Sequence, residues 1–149
     1  MNVERPESPG SIILYAIRSL PQANSQDPSD SYIPFFSSLL LSHLIPYSEP
    51  AKTLARSIYF AGNDAEAGGP STENRSTLIA IVVRNLMLAQ REQAQSANAG
   101  AGPERGLEWS RVMVGYLIVL SIWLWESPAS VKEFLSEGSN LQVVRITSD

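Results

Sequence analysis

Cysteine is absent and histidine occurs once. That excludes disulfides and cysteine-ligated zinc, and it leaves only carboxylates as metal ligands. Basic residues are also scarce: 11 Lys and Arg stand against 15 Asp and Glu, for a net charge of -4, and only Lys52 and Lys132 are lysines. Scattered as they are, they build no nucleic-acid surface, and partners held by strong electrostatics are not expected. The opening MNVERPESPG carries Glu and Pro where an export signal needs an apolar core. Ile12 to Leu20 is short and broken by Arg18. A cysteine-free chain without such a signal reads as cytosolic.

What the chain has is apolar helix. At 149 residues and 44% hydrophobic, it is the size of one domain and buries roughly 68–70% of its extended surface. Its longest apolar run, RVMVGYLIVLSIWLWESPASVKEFL from Arg111 to Leu135, is interrupted between Val112 and Trp125 only by Gly115 and Ser121. A helix apolar all round must be buried on every side. A bilayer span takes about 18 to 20 apolar residues, and Arg111 and Glu126 close this run too soon. It therefore reads as the central helix of a packed array. Ser127 caps the next helix and Pro128 fits its first position. There Val131, Phe134 and Leu135 make one face, with Lys132 and Glu133 left for solvent.

The remaining segments follow the same grammar. Residues 1–10, with Pro6, Pro9 and Gly10, read as a disordered lead-in. Ser11 then caps a helix through Leu20 with Ile13, Ala16, Ile17 and Leu20 on one stripe. From Phe35 to Ile45, FFSSLLLSHLI puts Phe36, Leu39, Leu40, His43 and Leu44 on one face, and Pro46 ends it. Pro50 opens a short helix with Ala51, Leu54, Ala55, Ile58 and Tyr59 inward and Lys52 and Arg56 outward. Ser71 or Thr72, with Glu73 nearby, caps a helix from Ser76 to about Ala94. Its stripe of Leu78, Ile81, Val82, Leu86 and Ala89 is broadened by Ile79, Val83 and Met87, so two sides are covered. Loops fall near 21–31, 61–71 and 96–106, Gly138 is a C-cap, and 141–149 is a tail.

Laying Pro50 on Pro128, a spacing of 78, also places Ala51 on Ala129, Leu40 on Ile118 and Leu41 on Val119. That spacing is close to two repeats of about 40. The expected fold is all-α: an armadillo/HEAT-like α-solenoid fragment of about three helical-hairpin units over residues 11–140.

Candidate chemistry is sparse. His43 lies on an apolar stripe, and Asp27, Asp30, Asp64 and Asp149 fall in loops or at the terminus, so nothing suggests a catalytic triad. No catalytic, cofactor-binding or metal-ligating residue is nominated. The glycines at 62–69 and 100–106 lack the Lys-Ser/Thr of a phosphate cradle. Trp109, Trp123 and Trp125 are core or a binding surface, the core reading preferred for the two in the apolar run. Arg84 and Arg91, i and i+7 on one face, face water or line a groove, with water preferred.

Two blocks carry a family likeness: FFSSLLLSHLIPYSEPAKTLA and, more specifically, VGYLIVLSIWLWESPASVKEFLSEGSNLQ. They resemble the C-terminal part of the armadillo-like head of the Uso-type vesicle-tethering factors, or general vesicular transport factors. Gly115, Tyr116, Leu117, Trp123, Leu124, Pro128, Val131, Phe134 and Leu135 occupy the places of that family's GYLxLLxxWLxxxPxxVxxFL pattern. The likeness spans about residues 12–142 and fades into VVRITSD.

The resemblance implies a non-enzymatic scaffold, cytoplasmic and peripheral on Golgi and transport-vesicle membranes, that tethers vesicles before fusion. Implied partners are Rab-type GTPases, tethering complexes and SNAREs; no partner-binding residue carries over. The family's further upstream repeats and coiled-coil tail are not in the chain, so weak self-association or marginal stability is expected. The competing readings are a generic armadillo or HEAT adaptor holding a peptide in its groove, and an all-α enzyme dependent on His43.

Overall fold

A computed structural model of the chain describes residues 9–20, 28–61, 75–98 and 103–136. Within them lie six α-helices: α1 (Pro9–Arg18), α2 (Tyr32–Leu44), α3 (Glu49–Arg56), α4 (Leu78–Asn98), α5 (Pro103–Leu124) and α6 (Pro128–Ser136). A single 3-10 turn at Pro28–Ser31 leads into α2. Two strands, β1 (Tyr59–Ala61) and β2 (Arg75–Thr77), pair antiparallel with Tyr59 opposite Thr77. Residues 1–8 of the proposed 1–10 lead-in, the caps Ser71 and Thr72 with Glu73, Gly138 and the 141–149 tail lie outside the described residues; Pro9 and Gly10 are helical, so Ser11 sits inside α1 and does not cap it.

By number the six helices could make the three hairpins expected, but they pack as two tiers of three. α1, α2 and α3 form one, α4, α5 and α6 the other, with α2 against α5, α1 against α4 and α3 against α6. The architecture is an all-α solenoid. The spacing of 78 relates the tiers, which are in direct contact. At that offset each buried position of α2, and its C-cap Ile45, corresponds to a buried position of α5: Pro34/Val112, Ser37/Gly115, Ser38/Tyr116, Leu41/Val119, Ser42/Leu120 and Ile45/Trp123.

The buried face of α2 is the reverse of the one its apolar stripe suggests. Pro34, Ser37, Ser38, Leu41 and Ser42 are buried, whereas Phe36 and Leu40 are each 53% exposed and Leu44 is 61% exposed. Size explains the choice. A methyl on Gly115 of α5 would stand 3.1 Å from the Phe35 Cα and 3.2 Å from the Ser38 Cβ, so the two backbones are nearly in contact. Only small residues fit such a seam, and close packing rewards filling it. The serines enter without stranding a polar group, because Ser37 donates to the Ile33 carbonyl (2.8 Å), Ser38 to that of Pro34 (2.7 Å) and Ser42 to that of Leu39 (2.7 Å).

Helix α3 matches its stripe only in part: Ala55 is buried and Ala51 and Ile58 pack against the core as expected. Lys52 is 3% exposed, while Leu54 is 68% and Tyr59 56% exposed. α3 also ends at Arg56, so Ile58 and Tyr59 leave the helix for the β-ribbon, and Leu78 N–H donates to the Ile58 carbonyl (3.2 Å). In α6, Ser130 and Phe134 are buried and Val131 and Leu135 exposed. Glu133 is not left to solvent, lying 3.7 Å from the Arg56 guanidinium.

The other helices match their stripes. Ile17 of α1 is buried with Ile13 and Leu20 packed around it, and Leu78, Ile79, Ile81, Val82, Val83, Leu86 and Ala89 of α4 are all buried. Thr77 caps α4, its Oγ1 accepting from Ala80 N–H (3.2 Å). α1 starts at Pro9 and α5 at Pro103, two positions where a missing N–H costs nothing. The span read as a 96–106 linker is therefore helical at 96–98 and 103–106.

Counted from Pro103, α5 has 22 residues. Among the described residues it is the one helix long and apolar enough to cross a membrane by length and composition, which corrects the count taken from Arg111. Nor is it buried all round. Trp109, Val112, Tyr116, Val119, Leu120 and Trp123 face protein, and Leu107, Val114 and Leu117 are exposed.

Candidate functional site

The residues weighed for chemistry and set aside do not converge. His43 is exposed on the outer side of α2, and Asp30 sits in the 3-10 turn; Asp27, Asp64 and Asp149 lie outside the described residues. No group of three His, Asp or Glu able to hold a metal occurs among the described residues.

The tryptophans divide. Trp109 is buried beneath the Arg105 guanidinium, 5.6 Å from its ring centroid. Trp123 is fully buried, with its indole N–H unpartnered. Trp125 is 62% exposed and so leaves the core, correcting the reading of both apolar-run tryptophans as buried. α5 ends at Leu124, and the left-handed Glu126 (φ 51°) turns the chain outward there.

What the sequence reading missed is a polar staple between the corners of the two tiers. Each corner has a left-handed residue, Tyr47 (φ 57°) or Glu126, followed by a serine opening the next helix. Ser48 accepts from Ala51 N–H (3.2 Å) and Ser127 from Ser130 N–H (3.4 Å). Lys52 Nζ donates to the Trp125 carbonyl, one of the acceptors left open at the end of α5, where a cation also meets the negative end of the helix dipole. Arg56 donates to Glu49 (3.0 Å), Ser130 (2.7 Å), Ser127 (3.3 Å) and Thr53 (2.7 Å). The Ser127 hydroxyl and then the Arg56 guanidinium hold the Glu49 carboxyl below the usual carboxylate range. A sequence trace exists: Ser48-Glu49-Pro50-Ala51 and Glu126-Ser127-Pro128-Ala129 permute the same residues.

A second staple ties α1 to the other tier. Tyr116 donates to the Ile17 carbonyl (2.7 Å), and Asn85 donates to the Arg18 carbonyl (3.3 Å) and the Tyr116 hydroxyl (3.4 Å). Burial pushes the Tyr116 phenol up to about 12, the Asn85 bond pulling the other way.

With the polar groups engaged in holding the tiers, the remaining surface offers contact. α2 presents Ile33, Phe36, Leu40 and Leu44 to solvent, and Leu124 at the end of α5 lines an open groove with Pro128, Val131 and Leu135 of α6. Along α4 runs another groove, about 710 Å3, bordered by Arg84 and Arg91. The two arginines are exposed, and they also edge this groove.

This arrangement defines a helical-repeat scaffold of armadillo-like kind. The family described as Uso1 / p115 like vesicle tethering protein, head region, matches residues 2–147, and the chain belongs to it. Comparison with curated proteins gave no match, and comparison with solved structures gave none either.

Proposed function

We propose that the chain is a non-enzymatic scaffold in vesicle tethering on the endoplasmic-reticulum-to-Golgi and intra-Golgi routes, acting before membrane fusion through protein–protein contacts. The observation that carries this reading is the head-region match over residues 2–147. The fold supports it physically. Buried Lys52 and Tyr116 and partly buried Arg56 brace helix ends against one another, while exposed apolar faces and grooves remain for partners. The partner classes are those of the family: Rab-type GTPases, other tethering complexes and SNAREs. Membrane attachment is indirect, on the cytoplasmic face of Golgi and vesicle membranes.

The test separates attachment from fusion. Golgi membranes and transport vesicles are prepared from cells lacking the protein, and vesicle attachment is scored with fusion blocked. Loss of attachment, restored by adding the protein back, with normal fusion of vesicles already attached, is the expected result. Undiminished attachment without the protein overturns the reading.

A further inference from the structure

The groove on α4 has a regular lining. Ala80, Met87 and Ala94 recur every seven residues in its lining, and Arg84 and Arg91 recur there at the same interval. At a rise of about 1.5 Å per residue the two guanidinium-bearing positions stand about 10.5 Å apart along the helix. The Ala80–Met87–Ala94 row lies across the helix from Leu78, Val82, Asn85 and Ala89, which turn inward, while Ile81 and Val83 of the same lining are buried and Met87 is partly buried against the core. A heptad row of small and flexible residues is what a second helix needs to lie alongside: alanine lets the backbones approach, and methionine adapts its shape to the knob it receives.

The charges say what kind of helix fits. Arg18, Arg56, Arg105 and Arg111 of the other helices each have a partner within the chain. Arg84 and Arg91 have none among the described residues, and no acidic side chain borders the groove among them. In a chain of net charge -4, two unpaired cations one heptad apart beside an apolar seam form a complementary seat for carboxylates at the same spacing.

We propose that the outer face of α4 docks an amphipathic helix of a partner protein that carries Asp or Glu one heptad apart beside its apolar seam. This rests on the scaffold reading and names the chemistry of one partner.

The test uses the full chain and a designed 21-residue helical peptide with an apolar a/d seam and glutamates at heptad spacing, followed by fluorescence anisotropy. Controls are a scrambled peptide of identical composition and one with lysines in place of the glutamates. The designed peptide binds and the scrambled one does not. The double variant Arg84→Glu/Arg91→Glu weakens binding roughly five- to tenfold, the weight of two partly exposed ion pairs. The lysine peptide restores it on that variant. Both arginines are exposed, so the variant keeps the thermal melt of the parent.

Equal binding of the scrambled peptide, no binding, or no rescue by the lysine peptide overturns the proposal. So does binding of anionic phospholipid vesicles through the two arginines without binding of the peptide. No membrane enters the peptide assay. A protein that binds the peptide yet leaves vesicle attachment unchanged refutes the tethering role alone, and one that attaches vesicles but ignores the peptide refutes the groove alone.

Discussion

Two glycines on α5 make opposite demands, and replacing each by alanine reads the packing of the tiers directly. A helical Gly→Ala change stabilises by about 1 kcal/mol where nothing obstructs the methyl. At Gly106 nothing lies within 4 Å of the added carbon, so Gly106→Ala gains about 0.5–1 kcal/mol, the first turn of the helix giving the smaller end. At Gly115 the same carbon meets the Phe35 Cα at 3.1 Å, the Ser38 Cβ at 3.2 Å and the Phe35 Cδ2 at 3.3 Å. Two of these atoms belong to or sit on the backbone of α2 and cannot rotate away, so the helices must part by a few tenths of an ångström. Overpacking of this kind costs about 1–3 kcal/mol, which outweighs the propensity gain and leaves Gly115→Ala destabilised by about 1 kcal/mol. Urea unfolding of both variants beside the parent measures the difference. A midpoint for Gly115→Ala raised as much as that for Gly106→Ala refutes the contact between α2 and α5.

Four further outcomes follow from the same geometry. Tyr116→Phe strands the Ile17 carbonyl and costs about 1–3 kcal/mol in urea unfolding at neutral pH. The folded phenol titrates near 12 against an ordinary 10, so its contribution is whole below pH 10 and falls by about 3 kcal/mol as pH rises through 12. That alkaline loss is smaller in the phenylalanine variant by this amount. Lys52→Met keeps the buried stem but leaves the Trp125 carbonyl without its donor, lowering stability by about 2 kcal/mol in chemical denaturation. Glu49, with its carboxyl held below the ordinary value of 4.5, stabilises above that pH and loses the contribution as pH falls through its folded value. Acid unfolding of Glu49→Gln is therefore shallower over that window. Leu40→Lys changes stability by no more than about 0.5 kcal/mol in a thermal melt, because the leucine is half in water.

Helices whose partners bury large apolar residues were legible from periodicity: α4 and α1 bury the stripes expected of them. The all-α class was legible too, and so was the spacing of 78, although it separates two tiers in direct contact and not two repeats of about 40. α2 was not, and α3 only in part, because a stripe of large apolar residues marks the core only when the neighbour leaves room for them. Gly115 brings the backbone of α5 so close that Ser37, Ser38 and Ser42 win the seam over Phe36, Leu40 and Leu44. Lys52 and Arg56 look solvent-bound locally, and their partners lie more than 70 residues downstream at Trp125, Ser127 and Ser130. The β-ribbon, three residues a side, is below what alternation can signal. Trp125 escaped the core because the helix stops one residue before it, at a left-handed corner that no apolar count foresees.

Because the chain has no cysteine, engineered pairs report proximity without background. Ser38→Cys with Gly115→Cys sets two β-carbons 3.2 Å apart, and the parting of α2 and α5 by a few tenths of an ångström that any β-carbon at 115 forces brings them to the roughly 3.5–4.5 Å that a disulfide spans. The stacked-tier account predicts that this pair oxidises rapidly within one molecule, while Leu40→Cys with Gly115→Cys stays reduced. Bridging of the Leu40 pair, with the Ser38 pair unreactive, contradicts it: α2 would then turn its large apolar face inward, and the exposed surface assigned to partners would not exist.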